Sequence, residues 1–155
     1  MMNMTPGERG TVLVLEDDPG IRRLQRSNLE RAGYFVKLAA DIGEAREHLG
    51  RGGIDLLLLD YQLGDSENGL SFYRELHATG RDLPAVLVTG FSDEDRVLEA
   101  MRAGVKDFIP KTPNFVELVA PTVDRVMEQV RQERRLGEAE AASRAKDTFL
   151  ATLSH

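Results

Sequence analysis

The stretch at residues 54–60, which reads IDLLLLD, constrains the fold more than any other part of the chain. Its four consecutive leucines are apolar toward both faces of a strand, which is typical of a central parallel strand covered by helices on both sides. The run ends at the carboxylate of Asp60. Because ligands of open parallel sheets bind outside the carboxyl ends of the strands, we expect Asp60 to lie at an edge where a site can form.

Composition and charge exclude several classes of protein. The 155 residues allow one domain with an appendage, and 20 basic against 26 acidic residues give a net charge of −6, which disfavours nucleic acid as a partner. The absence of cysteine excludes disulfides, zinc–thiolate sites and thiol nucleophiles. No apolar run is long enough to cross a bilayer, and residues 1–10 lack the apolar core of a signal peptide. We therefore expect a cytoplasmic chain without a membrane segment, and a disordered N-terminus over residues 1–10.

Short apolar runs alternate with helical spacings along most of the chain. The runs predict five strands, at 11–15, 34–38, 54–59, 85–88 and 107–109. Helices are predicted between them; Asp41 with Glu44 three residues later is typical of a helix start. A βα unit repeated in this way predicts an α/β fold, a doubly wound parallel sheet with helices on both faces. No G-x-G-x-x-G or G-x-x-x-x-G-K motif follows a strand, so nucleotide binding is not indicated.

Polar residues stand at the ends of four of these strands. They are Glu16 and Asp17, Asp60, Thr89, and Lys111. Three carboxylates at close quarters can hold a hard divalent cation such as Mg²⁺. Asp60 can then act as a nucleophile in aspartyl-phosphate chemistry. Lys111 would supply a point charge for one phosphoryl oxygen and Thr89 a hydroxyl donor for another.

Asp18 and Pro19 allow a second interpretation of the acidic run. Asp18 as an N-cap with Pro19 at the first helical position is a favoured helix start. This accounts for Asp18 but not for Glu16 and Asp17.

Four segments resemble the receiver domain of two-component response regulators. They read VLVLEDDP (12–19), DLLLLD (55–60), VLVTG (86–90) and AGVKDFIPK (103–111). The resemblance places a receiver domain at residues 11–127. It implies a flavodoxin-like, doubly wound five-stranded parallel sheet with the strand order 2-1-3-4-5. The residues beyond it would form a long C-terminal helical extension.

The resemblance also implies how the phosphoryl group is handled. Asp60 would accept it from a phosphohistidine on a kinase or phosphotransfer protein, and Thr89 and Lys111 would bind its oxygens. Phe108 occupies the aromatic position that changes rotamer as Thr89 moves; the alternative for Phe108 is plain core packing. In this family the receiver catalyses its own phosphorylation from small donors and its own dephosphorylation, and in that limited sense it is an enzyme.

The metal ligands follow from the same resemblance. Asp17, Asp60 and the backbone carbonyl of Gln62 would bind Mg²⁺ directly, with Glu16 contributing through water. The acidic pair of the family is most often Asp-Asp; the alignment makes it Glu16-Asp17 here, and Asp17-Asp18 is the alternative. A carboxylate-metal phosphatase on a similar sheet needs a second Asp two residues after the nucleophile, and Gln62 disfavours that alternative.

One departure from the family lies at Lys111. The family usually has Lys-Pro with a cis bond, whereas Lys111 is followed by Thr112, and proline comes only at position 113. A cis bond before a residue other than proline costs about 3 kcal/mol. We therefore expect the loop that positions Lys111 to differ from the usual loop of the family.

From residue 114 the chain has the pattern of one long helix. Pro121 predicts a kink or restart near residues 117–121. Valines then follow a 3-4 spacing, at Val116, Val119, Val123, Val126 and Val130. Such a seam packs either on the sheet or against a second chain, and we expect the first half to do the former and the second half the latter. Residues 128–144 would form a helical coiled-coil linker and a homodimer contact; the alternative is a solvated helix without a fixed partner.

Residues 145–155, AKDTFLATLSH, look like the opening of a histidine-kinase dimerisation helix, in which the Ser-His pair carries the phosphoacceptor imidazole, here His155. The alternative for a terminal histidine is a disordered end or a tag remnant. We expect a fragment of a hybrid kinase that works in a phosphorelay. The rival hypothesis is a passive dimerisation and docking module without phosphoryl chemistry.

Overall fold

Five parallel strands form the central sheet, and their order confirms the predicted one. The structure, a computed structural model, describes residues 9–64, 67–90 and 94–153. Along the sheet the strands lie in the order β2 (Phe35–Ala39), β1 (Thr11–Leu15), β3 (Leu56–Asp60), β4 (Ala85–Thr89) and β5 (Asp107–Pro110), and all neighbours run parallel. This is the order 2-1-3-4-5 of the flavodoxin-like α/β fold.

Within the described ranges, five α-helices connect or follow these strands. They are α1 (Pro19–Arg31), α2 (Ile42–Arg51), α3 (Gly69–Ala78), α4 (Glu94–Ala103) and α5 (Val119–Leu153). A 3₁₀ turn at Phe115–Leu118 precedes α5, and a short antiparallel ribbon pairs Gln62–Leu63 with Glu67–Asn68 after β3. None of the helices in this part of the chain is both long and apolar enough to cross a membrane.

The four leucines of β3 explain why this strand is central. Leu57 and Leu59 point into a layer shared with α2, α3 and α4, whereas Leu56 and Leu58 point into the opposite layer, shared with α1 and α5. All four are at most 1% exposed. Burying a leucine side chain contributes roughly 1.5–3 kcal/mol, so this strand is fixed on both faces and holds the residue at its end rigidly.

The helix starts follow their capping signals. The Asp18 carboxylate accepts hydrogen bonds from the amides of Gly20 (2.8 Å) and Ile21 (3.0 Å) at the start of α1. The Asp41 carboxylate accepts one from the Glu44 amide at 2.8 Å. These contacts satisfy backbone donors that the first turn leaves free.

Helix α5 restarts the chain after the 3₁₀ turn, as Pro121 predicted. Pro121 lies in the first turn of α5, where its missing N–H breaks no helical hydrogen bond. The valines at 119, 123 and 126 are at most 1% exposed in the α1–α5 layer, and Val116 and Val130 pack against its edge. The valine spacing therefore has a partner within the chain as far as Val130.

Two further contacts join Arg9 and Tyr34 to the base of α5. Asp124 of α5 accepts a hydrogen bond from the Tyr34 hydroxyl and an ion-paired one, at 2.8 Å, from Arg9. Of the predicted disordered N-terminus, residues 1–8 lie outside the described residues. Arg9, the first described residue, is held against α5 by its ion pair with Asp124.

The rest of α5 leaves the sheet. From residue 131 to residue 151 every side chain is exposed, including Leu136 (63%), Phe149 (62%) and Leu150 (50%). We call residues 131–151 the α5 extension. His155 lies outside the described residues.

Candidate functional site

Three carboxylates meet at the carboxyl edge of the sheet, where β1 and β3 end side by side. Leu15 is paired with Leu59, so Glu16 and Asp17 after β1 come next to Asp60 at the end of β3. One oxygen from each of these three carboxylates lies within 4.8 Å of the others. Glu16 and Asp60 are buried, whereas Asp17 is exposed. The site thus has two acids in its floor and one at its open side.

This arrangement supports Glu16 with Asp17, rather than Asp17 with Asp18, as the acidic pair of the site. The Asp18 carboxylate caps α1 and is exposed, so it is used by the helix. Glu16 and Asp17 are the pair that faces Asp60.

Only one oxygen of the Glu16 carboxylate has a hydrogen-bond partner among the described residues. Its Oε1 accepts a hydrogen bond from the Asp18 amide at 3.2 Å, while its Oε2 is buried and has no hydrogen-bond partner among the described residues. Burial, together with the neighbouring Asp60 carboxylate, raises the pKa of Glu16 to about 8, against an opposing effect of Lys111. A buried oxygen without a partner, next to two other carboxylates, is a donor set that a hard cation would complete.

Lys111 is the cation that the structure places at these acids. Its Nζ donates to Asp60 Oδ2 at 2.9 Å and lies 3.9 Å from Glu16 Oε2. Burial acts to lower the pKa of Lys111, but the hydrogen bond and charge of Asp60, with the charge of Glu16, outweigh it and raise the pKa. The Lys111–Thr112 bond is trans, so the missing Lys-Pro step does not keep the ammonium away from Asp60.

Thr89 ends β4 beside this cluster. It is 1% exposed, and its Oγ1 is buried without a hydrogen-bond partner among the described residues. The backbone carbonyl of Thr89 accepts a hydrogen bond from the Lys111 amide at 2.8 Å, which couples the ends of β4 and β5. A buried hydroxyl without a partner is uncommon and is available to an incoming acceptor.

Phe108 of β5 is partly buried and packs against the α2–α3–α4 layer. It also borders a cavity of about 340 Å³, which Thr89, Val97 and Leu98 line from the other sides. The ring therefore contributes to the core and lies beside open space next to Thr89. Both interpretations of Phe108, packing and rotamer change, are compatible with this position.

The loop after Asp60 folds back on it. The Gln62 amide donates to Asp60 Oδ1 at 3.3 Å, and the Tyr61 amide donates to the Val88 carbonyl at 2.7 Å. The Tyr61 ring also lies under the Arg96 guanidinium of α4, 4.6 Å from ring centroid to Cζ. Helix α4 is thus in contact with the loop that directly follows the candidate nucleophile.

Gly69 is a site residue that the sequence interpretation missed. A Cβ atom at this position would lie 2.3 Å from the carbonyl oxygen of Asp60, closer than any real contact. The sequence showed only a glycine at the end of a polar loop. The backbone of Asp60 can occupy its position because residue 69 has no side chain.

Comparisons with known proteins agree with this geometry. A family model described as the response regulator receiver domain matches residues 12–122. Response regulator MprA of Mycobacterium ulcerans is 33% identical over 138 residues, which are 89% of this chain and 57% of MprA. The alginate biosynthesis transcriptional regulatory protein AlgB of Pseudomonas aeruginosa is 33% identical over 121 residues, 77% of this chain and 27% of AlgB. The chain spans less than two thirds of the length of either relative.

Solved structures give the same result. The crystal structure of NtrX from Brucella abortus superposes with a TM-score of 0.76 at 26% identity, over 83% of this chain and 29% of NtrX. The receiver domain of the Francisella response regulator 1452 superposes with a TM-score of 0.71, over 78% of this chain and 98% of that one; at 20% identity it supports the fold alone. The family match over most of the chain and the relatives at 33% identity lead to one conclusion: the chain belongs to the response regulator receiver domain family.

Proposed function

We propose that this chain is a phosphorylatable switch in a two-component phosphorelay, with Asp60 as the acceptor of the phosphoryl group. The observation that carries the proposal is the contact between Lys111 and Asp60, at 2.9 Å, inside a cluster of three carboxylates. The proposed donor is a phosphohistidine on a kinase or phosphotransfer protein. Such a donor implies a cytoplasmic location.

The proposed reaction uses groups that already face one another. An Asp60 carboxylate oxygen attacks phosphorus, the P–N bond breaks, and its electron pair stays on the donor imidazole, which takes up a proton from solvent. Lys111 then binds a phosphoryl oxygen instead of the carboxylate. The Thr89 hydroxyl, which is buried without a partner among the described residues, donates to another phosphoryl oxygen.

Mg²⁺ is the proposed cofactor, and the donor set suits it. Glu16, Asp17, Asp60 and the backbone carbonyl of Gln62 offer oxygen atoms only, and Glu16 Oε2 lacks a hydrogen-bond partner among the described residues. When bound, the ion would offset the charges of the carboxylates and of the phosphoryl group.

The test of the phosphoacceptor is intact mass after incubation with Mg²⁺ and acetyl phosphate. Wild type is expected to gain one phosphoryl group and Asp60→Asn none. The exposed Asp82→Asn, which removes the same charge near the opposite edge of the sheet, is the matched control and should be labelled like wild type. Labelling of Asp60→Asn would identify another acceptor, with His155 the first to change. If none of the three proteins is labelled and Mg²⁺ binding is also absent, the passive docking module is favoured.

The α5 extension carries the second part of the proposal. We propose that it pairs with a second copy and continues into a histidine-kinase dimerisation helix in which His155 is a phosphoacceptor. The exposed Leu136, Phe149 and Leu150 support a partner for this helix. The relatives named above are response regulators, so the kinase part of the proposal depends on the motif at residues 145–155.

A further inference from the structure

The side chain of Arg22 spans the turn that carries the acidic pair. Arg22 lies in the first turns of α1, and its Nη1 donates to the carbonyl oxygen of Glu16 at 2.8 Å and lies 3.5 Å from that of Asp17. The Arg22 amide donates to the carbonyl of Asp18 at 2.9 Å. A single partly buried residue thus contacts the backbone of three successive acids.

These contacts are to carbonyls and not to carboxylates. The carboxylates of Glu16 and Asp17 are left to face Asp60, where one oxygen from each lies within 4.8 Å of the others. On the other side, the Glu16 amide is fixed by the Ala39 carbonyl at 3.1 Å. Because the peptide planes on either side of a residue set the direction of its Cα–Cβ bond, fixing the carbonyls of two adjacent residues restricts the directions from which both carboxylates extend.

We propose that Arg22 is a positioning residue for the cation site, holding Glu16 and Asp17 in the arrangement that binds a divalent cation. The inference rests on the proposed function, since Mg²⁺ is the cation concerned. Partners that orient metal ligands typically change metal affinity about 10–100-fold when removed. The site is open on the side of Asp17, so the lower end of that range, about tenfold, is expected.

The charge of Arg22 acts in the opposite direction. A guanidinium near the site repels a cation, so its removal would by charge alone tighten Mg²⁺ binding. A purely structural role would lower the stability of the fold and leave the affinity of the folded protein unchanged. The sign of the change in affinity therefore separates positioning from the other two roles.

The experiment is a calorimetric titration of Mg²⁺ into wild type, Arg22→Met, Arg22→Lys and Arg23→Met, with urea unfolding of each to establish that it is folded. Arg23, the next residue of α1, is exposed, and its replacement removes the same charge from the same helix. Arg22→Met is expected to bind Mg²⁺ about tenfold more weakly than wild type and Arg23→Met as tightly or slightly more tightly. Arg22→Lys, which keeps the charge and one donor, should fall between them, and it carries the comparison if the methionine variant does not fold.

Equal or tighter binding by Arg22→Met than by Arg23→Met would overturn the positioning role while leaving the cation site in place. Absence of Mg²⁺ binding in wild type would overturn the proposed function and this inference with it.

Discussion

Lys111 Nζ lies 2.9 Å from Asp60 Oδ2 and 3.9 Å from Glu16 Oε2, so one ammonium serves two buried carboxylates. An oxygen of each carboxylate lies within 4.8 Å of the other, so the two acids repel each other when both are ionised, and the lysine offsets that repulsion in the absence of a metal ion. A bound cation and Lys111 would therefore share one task, the compensation of negative charge.

Replacing Lys111 by methionine should destabilise the metal-free protein and increase the stabilisation by Mg²⁺. The expected loss is about 1–3 kcal/mol, between the values for exposed and buried ion pairs, because the lysine side chain is 29% exposed. Mg²⁺ should recover more stability in the variant than in wild type, since it replaces the missing charge. Thermal unfolding with EDTA and with Mg²⁺ measures both effects. An equal gain from Mg²⁺ in the two proteins would show that Lys111 and the cation act independently.

Thr89→Val should raise the free energy of unfolding of the unphosphorylated protein by about 1 kcal/mol. It should also shorten the lifetime of the acyl phosphate, because the hydroxyl that would bind a phosphoryl oxygen is gone. The substitution keeps the shape of the side chain and removes a buried hydroxyl that has no hydrogen-bond partner among the described residues. Urea unfolding without a phosphodonor gives the first quantity, and the lifetime of the acyl phosphate gives the second. Thr89→Ser, which keeps the hydroxyl, is the control for the lifetime. Clear destabilisation of the valine variant would mean that the hydroxyl is satisfied in solution.

Gly69→Ala should lower the free energy of unfolding by about 1–3 kcal/mol, the usual cost of overpacking. The new Cβ atom would lie 2.3 Å from the Asp60 carbonyl, so the backbone of the candidate nucleophile must move. Labelling by acetyl phosphate should fall as well. Gly50→Ala in α2, where a Cβ meets nothing within 4 Å, is the matched control and should raise stability by up to about 1 kcal/mol. Chemical denaturation measures the change in the free energy of unfolding, which should be negative for Gly69→Ala and positive for Gly50→Ala.

The strands of the sheet could be predicted from the sequence because they are marked locally, whereas their order followed from the family resemblance. The leucine run before Asp60 and the β-branched run at 11–15 are apolar without interruption and end at polar residues, so their burial and their direction follow from the pattern. The acids at the two strand ends are neighbours because parallel strands end at one edge.

Other site features depend on distances that no local pattern encodes. Gly69 matters because the chain returns to Asp60 after nine residues, and a loop sequence does not state where it closes. The sequence shows Arg22 only as a residue of a predicted helix, and its hydrogen bond to the Glu16 carbonyl is visible only in the structure. The valine spacing in α5 is the same for packing on a sheet and for packing on a second chain, so periodicity could not choose between these partners for Val130.

The α5 extension gives the last prediction, which concerns self-association. Leu136 and Leu150 lie two heptads apart and are 63% and 50% exposed, so they occupy the same heptad position of the proposed two-chain seam. Light scattering should show a dimer for the wild-type chain and a monomer for the variant in which both leucines are replaced by glutamine. Thermal unfolding of the receiver domain should be unchanged, because neither side chain contributes to its core. Arg144→Gln, an exposed change on the same helix, is the control and should remain dimeric. A wild-type chain that is monomeric at every concentration would identify the α5 extension as a solvated linker.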